Sequence, residues 1–185
     1  MLNQHQNFKQ SGMTLIELVI TVSIVAILAS IATPSFTSFL RNTEVRGSSE
    51  SLLQGLQFAR TEAVRRNQRV CFDWSGVGTG WTVSNGCAIA PGSVPASNVI
   101  QKSPNREGSV ASVVAVTPGD GLRVTFNAFG RVIPNTAGGN TVLRFDITAG
   151  GAPMQRRILV SSGDFSGRVF VCDPTAAAGT QMACT

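Results

Sequence analysis

A single carboxylate interrupts a long apolar run near the N-terminus. The run extends from Met13 to Thr33, and Glu17 is its only charged residue. At about 1.5 Å of rise per residue, such a run forms a helix of roughly 30 Å, which is enough to cross a bilayer. A carboxylate inside lipid costs on the order of 3 kcal/mol, so it needs a cationic partner. Because the run holds no lysine or arginine, we expect that partner to be a chain end or another molecule.

Four cysteines lie downstream of this run: Cys71, Cys87, Cys172 and Cys184. An even count that follows a membrane-targeting segment indicates an oxidising compartment and two disulfides. Of the three connectivities that four cysteines allow, we favour the two local pairs, because each would tie a loop onto a neighbouring strand. Each loop of roughly 15 residues would contribute about 3 kcal/mol in the chain-entropy model. The cysteines are too far apart in sequence for the paired spacing of a zinc site.

The sequence contains a single histidine, which limits the catalytic sites that it can form. The only histidine, His5, lies in the polar leader. A chain that loses this leader cannot build a Ser-His-Asp or Cys-His site, and the sequence contains no GxSxG, HExxH or Walker-type motif. Its aspartates are scattered and lie mostly at predicted turns or strand ends, where aspartate commonly caps backbone groups. They are Asp73, Asp120, Asp146, Asp164 and Asp173. We therefore predict that the protein is not an enzyme and holds no cofactor or metal.

The composition describes the body that must position these residues. The chain has 185 residues, of which 43% are hydrophobic and only 14% charged, with 19 glycines and no tyrosine. Low charge and abundant glycine favour a β-rich domain with many turns over a soluble helical bundle. The net charge of +5 is mildly basic and does not by itself indicate a nucleic-acid partner.

The N-terminal segment has three interpretations. It is a secretory signal cleaved near Ala29 to Ala32, a plain membrane anchor, or a precursor from which only the polar leader is removed. A signal peptide usually has an apolar region of about 7–15 residues, and this run is longer and carries Glu17. The length of the apolar run therefore favours a membrane anchor, but an anchor alone does not explain the presence of Glu17.

A second helical segment is predicted after the apolar run, from about Ser35 to Arg66. Pro34 ends the run, and a proline inside a helix removes a hydrogen bond and kinks the chain. Beyond it, one helix face carries apolar residues in a 4-3-4 spacing: Leu52, Leu56, Ala59 and Ala63. Gly47 and Gly55 are each expected to weaken this helix by roughly 1 kcal/mol relative to alanine.

Short β-type runs separated by glycine, proline and asparagine follow the helix. The predicted strands are Val70–Trp74, Trp81–Ser84, Val99–Lys102, Val110–Thr117, Leu122–Asn127, Arg131–Pro134, Thr141–Thr148, Arg157–Ser161 and Gly167–Cys172. Two hairpins are predicted, which turn at Asn127 to Gly130 and at Ser162 to Gly167, and both turns end in Gly-Arg-Val. Pro91 to Gly108 reads as a surface loop, and the C-terminal segment as a loop held back by Cys184.

The segment Ser11-Gly12-Met13-Thr14-Leu15-Ile16-Glu17 resembles the type IV prepilin signature. The resemblance implies that a prepilin peptidase cuts after Gly12 and that Met13 becomes the N-methylated first residue. It further implies that Glu17 meets the N-terminal ammonium of a neighbouring subunit during assembly. Two charges that are each costly alone become tolerable as a pair, so the pair would set the axial register of docking. Pilins also often carry a proline at the position of Pro34.

The segment from Leu56 to Cys71, LQFARTEAVRRNQRVC, resembles the GspH/FimT family, as does FNAFGRV from Phe126 to Val132. This resemblance implies an α+β fold, the type IV pilin fold, in which a long N-terminal α-helix with a transmembrane first half packs on an antiparallel β-sheet head. The implied regions are a leader at 1–12, a transmembrane and filament-core helix at 13–34, an amphipathic half at 35–66 and a disulfide-tied head at 67–185.

The function implied by this resemblance is that of a minor pilin at the tip of a type IV pilus, or one that primes its assembly and so supports twitching motility. The rival within the same fold is a minor pseudopilin of type II secretion. Implied partners are other minor pilins, the major pilin, prepilin peptidase and the inner-membrane assembly platform. The chain would span the bacterial inner membrane once, with a periplasmic head, before it joins an extracellular pilus. A role in adhesion to surfaces or hosts is not distinguished by any residue pattern in this sequence.

DNA capture for natural transformation is a second class of function. FimT-like proteins are thought to bind DNA through a C-terminal Gly-Arg-x-Arg motif, and this chain has Gly167-Arg168-Val169-Phe170, which lacks the second arginine. The predicted hairpins would bring a basic patch together if they lie side by side: Arg131, Arg156, Arg157 and Arg168. We favour the alternative that these arginines lie solvated on an exposed face.

Overall fold

The computed structural model describes residues 12–76, 78–103, 112–161 and 167–184. Helix α1, Leu15–Arg66, is the first element. The chain divides into two compact units, Met1–Thr37 and Ser38–Thr185, so α1 contributes to both. Three parts of the chain lie outside the described residues: residues 1–11 of the leader, residues 104–111, which include the first two residues of the predicted strand Val110–Thr117, and residues 162–166, which form most of a predicted turn.

The first unit consists of the N-terminal part of α1 and exposes its apolar side chains. Leu15 is 81% exposed and Ile31 is 70% exposed, so none of the described residues covers these side chains. Its hydroxyl groups donate back to carbonyl oxygens of the same helix, as Ser23 does to Val19 at 2.7 Å and Thr33 to Ala29 at 2.7 Å. In the described part of the chain, no single helix meets the length and hydropathy needed to cross a membrane. Leu15–Ile31 and Ser35–Arg66, taken together as two helices with a break between them, do meet these requirements, by length and composition alone.

In its described residues, the second unit combines the rest of α1 with nine strands. The strands are β1 Val70–Trp74, β2 Trp81–Ser84, β3 Val99–Ser103, β4 Ser112–Thr117, β5 Arg123–Phe126, β6 Val132–Ile133, β7 Arg144–Ala149, β8 Arg156–Val160 and β9 Val169–Cys172. They form a five-stranded sheet in the order β3-β2-β1-β5-β6 and a four-stranded sheet in the order β4-β7-β8-β9. Neighbouring strands are antiparallel in both sheets.

The core lies where α1 packs on the sheets. The predicted 4-3-4 face of the helix is fully buried, and Val45 extends it by two turns. Phe72, Trp74, Trp81 and Phe145 contribute rings from the sheets, and the ring of Phe72 lies edge-on to that of Phe145. Gly55 lies where the helix comes closest, since a Cβ there would stand 2.6 Å from the Trp81 ring and 2.7 Å from the Phe72 ring. The residue expected only to weaken the helix therefore also permits its packing.

Most predicted strands coincide with observed ones, with one clear correction. The strand predicted from Thr141 begins only at Arg144, because the three residues before it cross between the sheets. Val142 donates to the Arg123 carbonyl of the first sheet at 3.0 Å, whereas Leu143 donates to the Thr117 carbonyl of the second at 2.8 Å. The predicted loop from Pro91 also contains a short 3₁₀-helix, Ala96–Asn98, and all of β3.

Candidate assembly and binding sites

The N-terminus of α1 is closed by a reciprocal hydrogen-bond pair between Thr14 and Glu17. The Glu17 carboxylate, through Oε2, accepts from the backbone N–H and from the hydroxyl of Thr14, both at 3.1 Å. The Thr14 hydroxyl oxygen in turn accepts from the Glu17 backbone N–H at 3.3 Å. This is a capping box, which satisfies two of the helix's unpaired N–H groups. Sequence reasoning missed the role of Thr14, although the Thr-x-x-Glu spacing was its signal.

The cap leaves half of the Glu17 carboxylate available. Only Oε2 takes part in the capping bonds, and Oε1 accepts no hydrogen bond from any described residue. The carboxylate is held towards the helix start, one turn from Met13, which is 68% exposed. A cation arriving at this end therefore meets an oriented carboxylate with a free oxygen. Cleavage after Gly12, methylation of Met13 and the kink at Pro34 stay predictions.

The first disulfide joins Cys71 of β1 to Cys87, which is one of the two local pairs favoured by the sequence. A buried ion pair reinforces the loop that it closes. Arg123 donates to Asp73 at 2.5 and 2.8 Å, and its remaining NH1 group donates to the carbonyls of Cys87 and Ile89 at 2.9 and 2.6 Å. Arg123 is only 1% exposed. Its guanidinium thus fastens the disulfide loop to the sheet.

The second disulfide, Cys172–Cys184, is the other local pair and holds back the C-terminal segment. Asp173 follows directly and receives hydrogen bonds from the Thr175 hydroxyl at 2.6 Å and from Arg156 at 3.0 Å. The pKa of the Asp173 carboxyl lies below its ordinary value, chiefly because of the hydrogen bond from the Thr175 hydroxyl and also because of the bond from Arg156. Arg156 therefore has a structural role in ordering the tail.

The structure brings together two of the four predicted basic-patch arginines. Gly130 and Gly167 adopt positive φ of 69° and 52°, and a Cβ at Gly167 would clash with the Gly130 carbonyl oxygen. The two Gly-Arg-Val turns therefore lie against each other, which places Arg131 near Arg168 at one end of the sheets.

The other two arginines lie elsewhere. Arg157 is opposite Cys172 in the β8–β9 register, whereas Val160 is opposite Val169, so Arg157 is at the far end of β8 from Arg168. Arg157 donates to Asp146 at 2.6 Å, and Arg156 is bound to Asp173 as described. The four residues do not form one continuous patch, and two of the four charges are neutralised by carboxylates.

A further charged cluster lies at the C-terminus of α1. Glu62 is buried and accepts from Arg65 at 2.8 and 2.7 Å and from Arg66 at 2.6 Å. Hydrogen bonds from these guanidinium groups lower the pKa of Glu62 to about 2. Just before Glu62 in the sequence, Arg60 donates to the Gly130 carbonyl at 3.1 Å. Arg65 and Arg66 are thus tied to their own helix, and Arg60 is tied to the turn beside it.

Among the described residues, no group of three or more histidine, cysteine, aspartate or glutamate side chains could hold a metal ion.

Comparison with known proteins agrees with this architecture. The family described as Type II transport protein GspH matches residues 48–164. The chain belongs to the GspH family. The prokaryotic N-terminal methylation motif matches residues 7–33 of this GspH-family protein, which covers the second half of the leader and the whole apolar run.

Solved structures similar to this GspH-family chain are those of the type IV minor pilin FimU of Pseudomonas aeruginosa PAO1. The crystal form in space group P21 has a TM-score of 0.54 at 20% identity and covers 75% of this chain and 98% of that chain. The P65 form has a TM-score of 0.51 at 20% identity and covers 71% and 98%. No curated protein matches in sequence. The predicted type IV pilin fold is confirmed, and the family is one of structural pilin-like subunits rather than enzymes.

Proposed function

We propose that this protein is a minor pilin of a type IV pilus, which joins the filament tip or primes its assembly and so supports twitching motility. The observation that carries the proposal is the start of α1, where an oriented carboxylate with a free oxygen precedes an exposed apolar helix surface. Such a surface suits lipid before assembly and neighbouring pilin helices afterwards. The Glu17 carboxylate then pairs with the ammonium of another subunit and sets its register.

The proposed life cycle assigns each region a step. Residues 1–12 are removed by prepilin peptidase, and Met13 is methylated. Residues 13–34 anchor the chain once in the inner membrane, with the head, 67–185, in the periplasm, and later enter the filament core through the assembly platform. Residues 35–66 join the two parts, and the head contacts other minor pilins and the major pilin.

The test separates the charge of Glu17 from its capping role. Glutamine also serves at this position of a capping box, so Glu17→Gln keeps the helix cap and removes the charge, whereas Thr14→Ala removes the cap partner and keeps the charge. We expect Glu17→Gln to lower the amount of protein in sheared pili at least tenfold relative to the membrane fraction, and Thr14→Ala to lower it less than twofold. Mass spectrometry of each variant, with a chain that begins at methylated Met13, verifies that processing is intact.

The opposite pattern would end the proposal. If Glu17→Gln enters pili at the normal level, the carboxylate serves the cap alone and not assembly. If both variants lose assembly equally, the helix start rather than the charge is what assembly requires.

The match to the type II transport protein family supports a second candidate, a minor pseudopilin of type II secretion. The two functions separate in a deletion strain. Loss of twitching with normal secretion of exoproteins supports the pilus, and the reverse supports the secretion system.

A further inference from the structure

Strand β9 lies at the edge of the four-stranded sheet. In the described part of the chain it pairs along its length with β8 alone, and its end is followed by an isolated bridge from Asp173 to Ala183 of the tail. An edge strand presents unpaired N–H and C=O groups that can template another strand. Natural edges are commonly protected by lysine, proline or a bulge, and β9, with the sequence Val-Phe-Val-Cys, carries none of these.

The register shows which backbone groups face outward. Ser161 N–H donates to the Arg168 carbonyl at 2.9 Å, so Arg168 directs its backbone groups towards β8. Alternation along an antiparallel strand then directs those of Val169 and Val171 away from β8. Asp173, the next residue in this series, agrees, because its N–H donates to Met182 of the tail. The tail thus uses the end of the edge and leaves Val169 and Val171 without a backbone partner among the described residues.

A cavity of about 610 Å³ runs beside this edge. Four consecutive residues line it, Arg168, Val169, Phe170 and Val171, together with Arg60 and Gln181. Successive residues of a strand point to opposite faces of the sheet, so a cavity that touches all four lies along the edge rather than on one face. Among the described residues that line it are two arginines and no carboxylate, and the exposed Arg168 makes no side-chain hydrogen bond or ion pair to a described residue.

We propose that the β9 edge binds an extended segment of a partner protein, which adds to the sheet as a further strand and places a carboxylate beside Arg168. Main-chain hydrogen bonds would supply affinity, and the arginine would favour an acidic segment. With four residues, β9 is about 13 Å long, so this contact forms one part of a larger interface. Nucleic acid fits less well, because its affinity grows with the number of phosphates neutralised, and Arg168 is the one lining arginine whose side chain has no partner among the described residues.

Amide hydrogen exchange on the full-length, isotope-labelled protein in detergent micelles tests the edge directly. In the free protein, we expect the amides of Val169 and Val171 to exchange at least tenfold faster than that of Phe170. The probe is an acetylated and amidated pentapeptide of alternating threonine and valine that ends in glutamate. At saturation it should slow exchange at Val169 and Val171 about tenfold. Equal protection of all three amides in the free protein would overturn the proposal.

Matched variants isolate the backbone contact. Val171→Pro removes the outward N–H without touching a bond to β8, and Val171→Ala removes the same side chain while keeping that N–H. We expect Val171→Pro to bind the peptide five- to tenfold more weakly than Val171→Ala. A peptide N-methylated on its valines, tested on the unaltered protein, should lose binding similarly and does not depend on how the proline variant folds. Equal binding in both comparisons would overturn the proposal.

Reversing the charge of Arg168 and that of the last peptide residue tests the ionic contact between them. Arg168→Glu should weaken the glutamate peptide about two- to fivefold, and a lysine-ended peptide should recover the loss. A single-stranded oligonucleotide that protects the two amides more strongly than the peptide would replace the proposal with a nucleic-acid site. Peptide binding is measured without filament assembly, so this proposal and the proposed function can fail independently.

Discussion

Two glutamates of α1 are each held by side chains within one helical turn, with different electrostatic results. Glu62 is bound by two guanidinium groups and its charge is neutralised in place. Among the described residues, Glu17 receives side-chain hydrogen bonds from Thr14 alone, whose hydroxyl is neutral. The cap therefore orients Glu17 without neutralising it, so its charge remains available for another molecule.

The Glu62 cluster makes stability depend on acid pH. The pKa of Glu62 in the folded chain is about 2, below its ordinary 4.5, so its stabilising contribution is complete above pH 4.5 and disappears as the pH falls towards 2. We expect Glu62→Gln to be less stable than the unaltered protein near neutral pH, and the two melting temperatures to converge over that acid window. Glu50→Gln, at an exposed position of the same helix, serves as the control. A constant difference across the window would contradict the assignment.

The buried pair of Asp73 and Arg123 should dominate the local stability of the head. Asp73→Asn leaves the guanidinium buried without its counter-charge, and we expect a loss of about 3–5 kcal/mol in the free energy of unfolding. Replacing both partners, by Asp73→Leu with Arg123→Met, should cost less than the single change because no uncompensated charge remains. Denaturant unfolding measures both, and a single variant within about 0.5 kcal/mol of the unaltered protein would contradict the prediction.

This pair also shows where sequence reasoning stops. Asp73 was interpreted as one of several capping aspartates, because its partner is 50 residues away and only the β1–β5 register brings them together. Thr14, in contrast, was detectable, since a capping box is a local pattern.

At the scale of elements, patterns among residues close in sequence predicted the structure well, whereas hydrogen bonds between distant segments were not predictable from the sequence. The buried helix face followed from apolar spacing, and the β5–β6 turn followed from Asn127 to Gly130, where the Asn127 side chain accepts from Phe129 and Arg131. The late start of β7 was not predictable, because residues 141–143 have strand-type sequence but their hydrogen bonds go to two different sheets.

Gly55 tests how closely the helix and the sheet are packed. Gly55→Ala raises helix propensity by about 1 kcal/mol, yet its Cβ would meet the rings of Trp81 and Phe72, and overpacking typically costs about 1–3 kcal/mol. We expect a net loss of stability in denaturant unfolding. Trp81→Phe should reduce that loss when the two changes are combined. A more stable Gly55→Ala variant would show that the rings yield at little cost.

At the scale of the whole molecule, the two units solve different problems. The head buries its apolar surface internally, with two disulfides and a buried ion pair securing its loops. The first unit leaves its apolar side chains exposed, so its stability as a helix depends on what surrounds it. The apolar run of the sequence lies within the first unit, while the contact between the two Gly-Arg-Val turns and the open edge of β9 are visible only in the folded chain.

The hydroxyl groups of the first unit have a consequence for a change of surroundings. Thr21, Ser23, Ser30 and Thr33 each donate to a carbonyl one turn back, so none of them depends on water, lipid headgroups or a neighbouring subunit for a hydrogen-bond acceptor. A helix that carries its own acceptors can pass from hydrocarbon into a protein interior without exchanging these bonds. With the proposed cleavage after Gly12, the ionic cost of such a transfer falls on the two charged groups at the helix start, the new chain end and Glu17.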